Sequence, residues 1–379
     1  MTGAAARRSG RATTTRRVLM TADAVGGVWQ YATTLAAALQ EGGADVLIAL
    51  MGPKPTQDQR DELSRRGLRV VEGSYRLEWM EEPWDDVRAA GEWLLGLERA
   101  FGPDVVHLNG YCHAALPWQR PVVVVAHSCV RSWWRAVHGE AAPPSWERYS
   151  REVARGLRAA WQVVAPTEAM LRALRDEYGG VQGGRVIPNA HVAVEPPPAT
   201  KADMIFAAGR VWDQAKNIRA LCDVAPSLPW PVYVAGDRVS PADGREEPAG
   251  GVRWLGRVPG QVIREWYGRT AIYALPARYE PFGLSVLEAA SAGCALVLGD
   301  IASLRENWDG AAVFVAPDDR SGLAARLTEL IEDPARRQAL AARAVRRASQ
   351  FTLARMTSAY AELYASAPGT GAFANAPGC

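Results

Sequence analysis

Short apolar runs and longer helix-forming stretches alternate along this sequence from Arg17 onward. The runs include RRVLMTAD, ADVLIAL, DVVHLNG and PVVVVAHS, and most of them end in or beside a small or polar residue. Unbroken segments of Val, Ile and Leu are typical of strands that are buried on both faces of a parallel sheet. Because a helix-like stretch follows most runs, the sequence predicts an α/β fold with a doubly wound parallel sheet and helices on both sides.

The segment VEPPPATKADM interrupts this alternation at residues 194–204. Three consecutive prolines cannot continue a helix or a central strand, so the segment indicates a semi-rigid linker. The alternation then restarts with MIFAAGR, WPVYVAGD, AIYALPA and CALVLGD. We expect a disordered basic tail (1–16), an N-terminal Rossmann-like domain (17–193), a linker (194–203), a C-terminal Rossmann-like domain (204–350), a final helix (351–367) and a disordered tail (368–379). Ligands of such sheets lie beyond the carboxyl ends of the strands.

The charge distribution argues against several classes of partner. The formal net charge is +2, but five arginines lie within the first 17 residues, where there is no acidic residue. The rest of the chain is therefore weakly acidic, and a nucleic-acid-binding protein would be expected to carry a basic surplus there. No apolar run approaches the roughly 20 residues that span a bilayer. The basic start lacks the apolar core of a secretory signal, so we expect a cytoplasmic protein.

The cysteines support the same compartment. They are odd in number and widely spaced, and no C-x-x-C pair occurs; they are Cys112, Cys129, Cys222, Cys294 and Cys379. This pattern favours reduced thiols over a disulfide framework or a zinc site.

The segment ALPARYEPFGLSVLEAASAGCALVLGD, residues 274–300, carries the most specific chemical pattern. A strand is expected to end at Pro276, a loop to carry Glu280, and a helix that holds Glu288 to begin around 283–285. Free N–H groups at a helix start favour anionic or hydroxyl-rich ligands. A carboxylate beside them can accept both hydrogens of a vicinal diol such as that of ribose. Each glutamate alone has a simpler explanation, which is stabilisation of the helix start.

The spacing Glu280-PFGLSVL-Glu288 resembles the E-x7-E signature of retaining glycosyltransferases with the GT-B fold, most closely glycosyltransferase family 4 (group 1). The resemblance extends from about residue 17 to residue 364. It implies two Rossmann-like domains that face a cleft, with the C-terminal helix crossing back onto the first domain. It also implies that Glu288 binds the ribose of a nucleotide sugar and that Glu280 faces the donor sugar. Backbone amides of Phe282, Gly283 and Leu284 would contact the hydroxyls of that sugar.

A second candidate group lies in AAGRVWDQAKN, residues 207–217. A departing diphosphate needs nearby cations that neutralise its charge. Arg210 and Lys216 follow the end of a predicted strand, and in the resembled family the matching Arg and Lys hold the donor diphosphate. A solvated loop charge is the alternative for Arg210, whereas the chain has only three lysines in all. The family often has Gly after this Lys, where the present sequence has Asn217.

The junction of the first strand and helix contains Gly26 and Gly27 without the G-x-G-x-x-G spacing of dinucleotide-binding folds. A pair of glycines is often only a turn, but it also lets backbone approach a ligand closely. The resemblance implies a loop that covers the donor phosphates and sugar.

His127 ends the run PVVVVAHS, and the resemblance implies that it touches the donor sugar near the reacting carbon. On the acceptor side we expect four further residues: Asn109, Tyr111, His113 and Trp133. No D-x-D motif occurs and no histidine pair has metal-ligand spacing with an acid, so we expect neither a bound metal nor a cofactor apart from the nucleotide sugar.

The segment WERYSREVARGLRAAW, residues 146–161, predicts an amphipathic helix with an arginine stripe on its outer face. A surface helix packed on its domain is the simpler interpretation. The alternative is peripheral contact with anionic lipid at the inner face of a membrane.

These patterns, taken with the family that they resemble, imply a retaining, metal-independent glycosyltransferase that moves a sugar from a nucleotide-diphosphate sugar to a glycan, lipid-linked or small-molecule acceptor. Two alternatives remain open at this point. One is a nucleotide-sugar epimerase on the same fold, and the other is a catalytically degenerate, nucleotide-sugar-binding partner subunit.

Overall fold

The computed structural model describes residues 16–181, 183–191, 200–239, 244, 246 and 250–368. Most of the two predicted tails, much of the predicted linker 194–203 and Cys379 lie outside these residues. The described part forms two parallel sheets, each flanked by helices.

The first sheet has seven parallel strands in the order β3-β2-β1-β4-β5-β6-β7. They are β1 (Arg17–Asp23), β2 (Asp45–Met51), β3 (Arg69–Glu72), β4 (Val105–Leu108), β5 (Val122–Val125), β6 (Gln162–Ala165) and β7 (Arg185–Val186). The central strands β1, β4 and β5 are almost wholly buried, as their unbroken apolar runs predict. The order reverses beside β1, and this is the position where such sheets open a crevice for ligands.

The second sheet has six parallel strands in the order β10-β9-β8-β11-β12-β13. They are β8 (Ala202–Ala208), β9 (Val232–Ala235), β10 (Arg253–Gly256), β11 (Thr270–Leu275), β12 (Ala295–Gly299) and β13 (Val313–Val315). Strand β8 begins two residues before the predicted domain start at 204.

Helices cover both sheets. In the N-terminal half they are α1 (Gly27–Glu41), α2 (Gln57–Arg65), α3 (Trp84–Phe101), α4 (Val130–His138), α5 (Glu147–Ala159) and α6 (Glu168–Tyr178). In the C-terminal half they are α7 (Ile218–Val224), α8 (Gly260–Arg269), α9 (Leu284–Ser291), α10 (Ala302–Trp308), α11 (Arg320–Glu332), α12 (Pro334–Ala348) and α13 (Leu353–Ala365). One apolar core fills the C-terminal half. In the N-terminal half, one core lies on each face of the first sheet.

The last helix, α13, packs against the N-terminal half and not against the sheet that precedes it in sequence. Its buried residues Met356, Tyr360, Leu363 and Tyr364 belong to the core between α1 and the first sheet. The Tyr364 hydroxyl lies 2.6 Å from Nδ1 of the buried His107 on β4. The predicted architecture, two Rossmann-like domains and a returning C-terminal helix, is therefore confirmed.

Helix α5 buries one face and exposes its arginines, as its pattern predicts. Tyr149, Val153 and Leu157 are buried, and Arg151 and Arg155 extend from the opposite face. Within the described residues, no helix combines the length and the apolar character needed to cross a membrane.

Candidate functional site

The carboxyl ends of the central strands of both sheets face each other across the domain boundary. Strand β1 ends at Asp23, and His127 follows β5. On the opposite side, Arg210 follows β8 and Glu280 follows β11. Two hydrogen bonds join the domains beside these groups, one from α1 to α9 and one from α4 to the loop after β8. At this boundary the second domain holds a polar cluster that consists of Arg210, Asp213, Lys216 and Glu280.

Lys216 and Glu280 form the centre of this cluster. Lys216 closes a short 3₁₀ turn, Gln214–Lys216, which begins at the capping carboxylate of Asp213. Its Nζ donates to Oε2 of Glu280, and the two side chains are 15% and 11% exposed. The next residue, Asn217, has the left-handed φ of 53°. Asn is the residue other than Gly that adopts this conformation most readily, which explains why it can replace the Gly that is frequent in the resembled family.

The backbone around Glu280 is fixed by the start of α9. Oε1 of Glu280 accepts a hydrogen bond from the amide of Gly283 at 2.9 Å and a longer one from Phe282 at 3.5 Å. Gly283 has a φ of 89°, which strains any residue with a β-carbon. Two of the amides predicted to contact a donor sugar therefore bond to Glu280 in this structure. The carboxylate therefore stabilises the helix start, which is the simpler of the two explanations given for it above.

Arg210 lies at the edge of the cluster, where the glycine pair meets the second domain. Its Nη2 donates to Oδ2 of Asp213 at 2.8 Å, and its side chain is 40% exposed. A β-carbon on Gly26 would come within 3.8 Å of the guanidinium, and one on Gly27 within 3.5 Å of Leu284. Both distances are ordinary van der Waals contacts, so the domains already touch at this turn, and the need for glycine is set at Gly26 by its left-handed φ of 63°.

Glu288 accepts a hydrogen bond from a side chain of the first domain. Nε2 of Gln30, on α1, donates to Oε1 of Glu288 at 2.6 Å. Burial raises the pKa of Glu288, and the hydrogen bonds from Gln30 and Tyr267 partly offset this by stabilising the carboxylate. The carboxylate proposed for ribose therefore already has an amide partner.

His127 is half-buried and held by the first sheet. Its Nε2 lies 2.8 Å from Oδ1 of Asn109, whose Nδ2 in turn donates to the carbonyl of Thr21. Its ring packs edge-on against Tyr31. Burial lowers the pKa of His127 to about 4, so the imidazole is neutral at pH 7.

The remaining acceptor-side residues are spread over different environments. Tyr111 is buried, and its hydroxyl donates to the carbonyl of Ser128. Nε2 of the buried His113 bonds to the carbonyl of Val87. Trp133 donates from its indole to Asp213 across the domain boundary at 3.0 Å. Tyr111 thus stabilises the loop after β5, and Trp133 links the domains.

A small cavity of about 40 Å³ opens beside the carboxyl ends of β1, β2 and β4, and Asp23, Trp79, Asn109 and His113 contribute to its lining. Asp23 accepts from the amide of Val25 at 2.7 Å. Burial raises the pKa of Asp23 to about 6, although nearby Arg210 and the Val25 amide act in the opposite direction.

Sequence reasoning missed Asp23, Gln30, Asp213 and Tyr279. The position of Asp23 directly after a buried strand was an available signal. The other three make hydrogen bonds between the domains: Gln30 to Glu288, Asp213 to Trp133, and Tyr279 to Cys129 and Ser132. The sequence pattern carries no equivalent signal for such contacts. Across the described ranges, no cluster of three or more His, Cys, Asp or Glu side chains is arranged to hold a metal ion.

Two family profiles match the chain. The profile Glycosyltransferase Family 4 matches residues 25–191, and Glycosyl transferases group 1 matches residues 202–333. Among curated relatives, the glycogen synthase of Mycobacterium tuberculosis is 26% identical over 90% of this chain and 92% of its own length. The O-antigen chain mannosyltransferase B of Escherichia coli is 30% identical, but the match spans 36% of this chain and 39% of that protein.

Solved structures show the same fold at low sequence identity. Sucrose-phosphate synthase from Thermosynechococcus elongatus superimposes with a TM-score of 0.76 at 17% identity, covering 92% of this chain and 98% of that one. Anabaena HepE in complex with UDP and glucose gives a TM-score of 0.74 at 17% identity, covering 93% and 100%. With one family profile on each of its two domains, the chain belongs to the family 4 and group 1 glycosyltransferases of the GT-B fold.

Proposed function

We propose that this chain transfers a sugar from a nucleotide-diphosphate sugar to an acceptor hydroxyl, with retention of the anomeric configuration and without a metal ion or other cofactor. The observation that carries the proposal is the joint position of Lys216, Glu280 and Arg210 on one side of the domain boundary and His127 on the other. A solved structural neighbour, HepE, holds UDP and glucose, which is consistent with such a donor.

Lys216 and Arg210 would hold the diphosphate. Both cations are now paired with carboxylates, Lys216 with Glu280 and Arg210 with Asp213. A diphosphate would replace or share these partners, and its charge would be neutralised as the glycosidic bond breaks. Two protein cations at this position also make a metal ion unnecessary for charge neutralisation. We therefore expect transfer to persist in the presence of EDTA.

Retention would follow from attack on the face from which the diphosphate departs. The bond between the anomeric carbon and the phosphate oxygen breaks, and the acceptor oxygen bonds to the same carbon on the same side. The acceptor proton goes to the departing phosphate oxygen. His127, being neutral, would hydrogen-bond the sugar without repelling the positive charge that develops on its ring. Domain closure would exclude water and so limit hydrolysis of the donor.

The acceptor remains a glycan, a lipid-linked sugar or a small molecule. Relatives named O-antigen chain mannosyltransferase, glycogen synthase and D-inositol 3-phosphate glycosyltransferase span these classes. Contact of the exposed arginines of α5 with anionic lipid remains a prediction, which vesicle co-sedimentation would test.

The experiment has two stages. Thermal unfolding is measured with UDP, GDP and ADP, and we expect one of them to raise the melting temperature because it binds only the folded chain. The sugars of the matching nucleotide are then supplied with a panel of acceptors, and mass spectrometry and NMR identify the product and its anomer.

Three outcomes would contradict the proposal. If none of the three nucleotides raised the melting temperature, the donor site would be wrongly assigned. An inverted anomer would exclude retention. Conversion of the donor sugar to its epimer in the absence of any acceptor would favour an epimerase instead.

A further inference from the structure

The loop that carries Glu280 is held by hydrogen bonds from both domains. From its own domain, the Ser303 hydroxyl donates to the Glu280 carbonyl at 2.5 Å, and the Arg278 amide donates to the carbonyl of Ala215 at 2.8 Å. From the first domain, the hydroxyl of Thr167 donates to the carbonyl of Pro281 at 2.9 Å. The backbone on either side of Glu280 thus has partners in both halves of the chain.

Tyr279 makes the most direct of these links. Its hydroxyl lies 2.8 Å from Oγ of Ser132 and accepts from the amide of Cys129 at 3.2 Å. Sγ of Cys129 lies 2.9 Å from the same Ser132 Oγ, so the three groups form a closed network. Cys129 is the N-cap residue of α4 and lies two residues after His127, and Ser132 lies in the first turn of that helix. One hydroxyl therefore ties the residue preceding Glu280 to the loop that carries His127.

We propose that Tyr279 is a positioning residue that holds Glu280 in a fixed position relative to His127 when the domains are closed. The inference rests on the proposed transfer reaction, and it adds a residue whose hydroxyl is bonded to groups of the first domain. Without the Tyr279 hydroxyl, the Cys129 amide and the Ser132 hydroxyl lose their cross-domain partner. The closed arrangement then becomes less populated, while the C-terminal groups that hold the nucleotide are unchanged.

The test compares Tyr279→Phe with Tyr149→Phe. The Tyr149 hydroxyl accepts from the amide of Val130, also at the start of α4, at 3.4 Å, but both residues belong to the first domain. The control thus removes a buried tyrosine hydroxyl from the same helix start without breaking a link between domains. Transfer kinetics are measured with the donor and acceptor that the wild-type chain uses. Binding is measured by calorimetry with UDP, GDP or ADP, whichever the wild type binds.

We expect Tyr279→Phe to lower kcat roughly tenfold, as for the loss of the partly buried hydrogen bonds to Cys129 and Ser132, while the nucleotide Kd changes by less than about twofold. Tyr149→Phe should stay within about twofold of the wild type in kcat, because its bond does not cross the boundary. Ser132→Ala should also lower kcat, but by less than Tyr279→Phe, because the bond from the Cys129 amide to Tyr279 remains. The double variant should be no worse than Tyr279→Phe, because that change already removes both cross-domain bonds.

A Tyr279→Phe enzyme with wild-type kcat would overturn the proposal, as would equal losses in Tyr279→Phe and Tyr149→Phe. Additive losses in the double variant would also contradict a shared network. If Tyr279→Phe does not fold, as judged by its melting temperature, Ser132→Ala with wild-type kcat overturns the proposal by itself. Failure of the wild-type chain to transfer sugar is a separate result, which contradicts the proposed function and not the hydrogen-bond network.

Discussion

At the residue scale, two of the three lysines in the sequence have a clear structural position. Lys216 pairs with Glu280 at the candidate site. Nζ of Lys201 donates to the carbonyls of Tyr267, on α8, and Ala292, just after α9. A cation at the end of a helix stabilises carbonyls that lack partners. These two lysines therefore have different roles: Lys216 lies at the candidate site, and Lys201 stabilises the fold.

In the proposed donor complex, Gln30 would compete with the nucleotide for Glu288. Because its amide donates to the carboxylate that would receive the ribose hydroxyls, this bond would have to break or rearrange on donor binding. We predict that Gln30→Ala tightens binding of the preferred nucleoside diphosphate by roughly fivefold, as for the loss of one competing hydrogen bond. Isothermal calorimetry measures the change, with Gln57→Ala on α2 as control. Weaker binding by Gln30→Ala would show that this amide contacts the donor instead.

Buried His107 makes stability depend on pH. Burial and the neighbouring His127 lower its pKa to about 3, from an ordinary value of 6.5. Between these values the unfolded chain binds a proton there and the folded chain does not, so the free energy of unfolding falls as pH falls below 6.5. We predict that from pH 7 to pH 5 the wild type loses about 2 kcal/mol more than His107→Phe. Denaturant titrations at both pH values measure this, and equal losses would contradict the burial of a neutral imidazole.

At the element scale, helix α5 shows packing overriding helix propensity. Gly156 lies inside the helix, where an alanine would ordinarily stabilise it by about 1 kcal/mol. A β-carbon at Gly156 would, however, lie 1.9 Å from the carbonyl oxygen of Tyr111, which is far inside van der Waals contact. The helix can therefore pack against residues 111–115 only with glycine at this position.

We predict that Gly156→Ala destabilises the chain by about 2 kcal/mol or more, because α5 must move away from the Tyr111 backbone. Gly96→Ala in α3 is the matched control, since only the flexible end of Arg99 comes within 4 Å of the added carbon. That variant should gain about 0.5–1 kcal/mol. Thermal melting of both variants shows whether the packing clash or the higher helix propensity of alanine dominates at position 156. A stabilised Gly156→Ala would contradict the packing of α5.

The sequence predicted the elements well where their signal is local. Unbroken apolar runs identified β1, β5 and β11, and Gly283 identified the start of α9. The roles of Gln30 and Tyr279 were not predictable in this way, because each depends on how one domain packs against the other. Amphipathic periodicity reports which face of an element is buried, and it carries no information about contacts between polar side chains of separate domains.

At the scale of the whole molecule, hydrogen bonds join the two halves of the described residues at several places. Gln30 reaches Glu288, Trp133 reaches Asp213, and the Glu306 carboxylate accepts from the amides of Glu168 and Ala169 at the start of α6. The returning helix α13 adds a covalent and an apolar link between the halves. Closure of the two halves would bring donor and acceptor groups together and exclude water between them.

The central claim is that cations of the second domain hold the donor diphosphate during sugar transfer, and comparing two lysine variants tests it most directly. Lys216→Ala and Lys54→Ala each remove one lysine charge. Lys216 lies at the site, whereas Lys54 is exposed on the surface of the first domain. We predict that kcat/KM for transfer falls roughly 100-fold or more in Lys216→Ala, and that Lys54→Ala stays within about twofold of the wild type. Near-normal transfer by Lys216→Ala would contradict this account of the site.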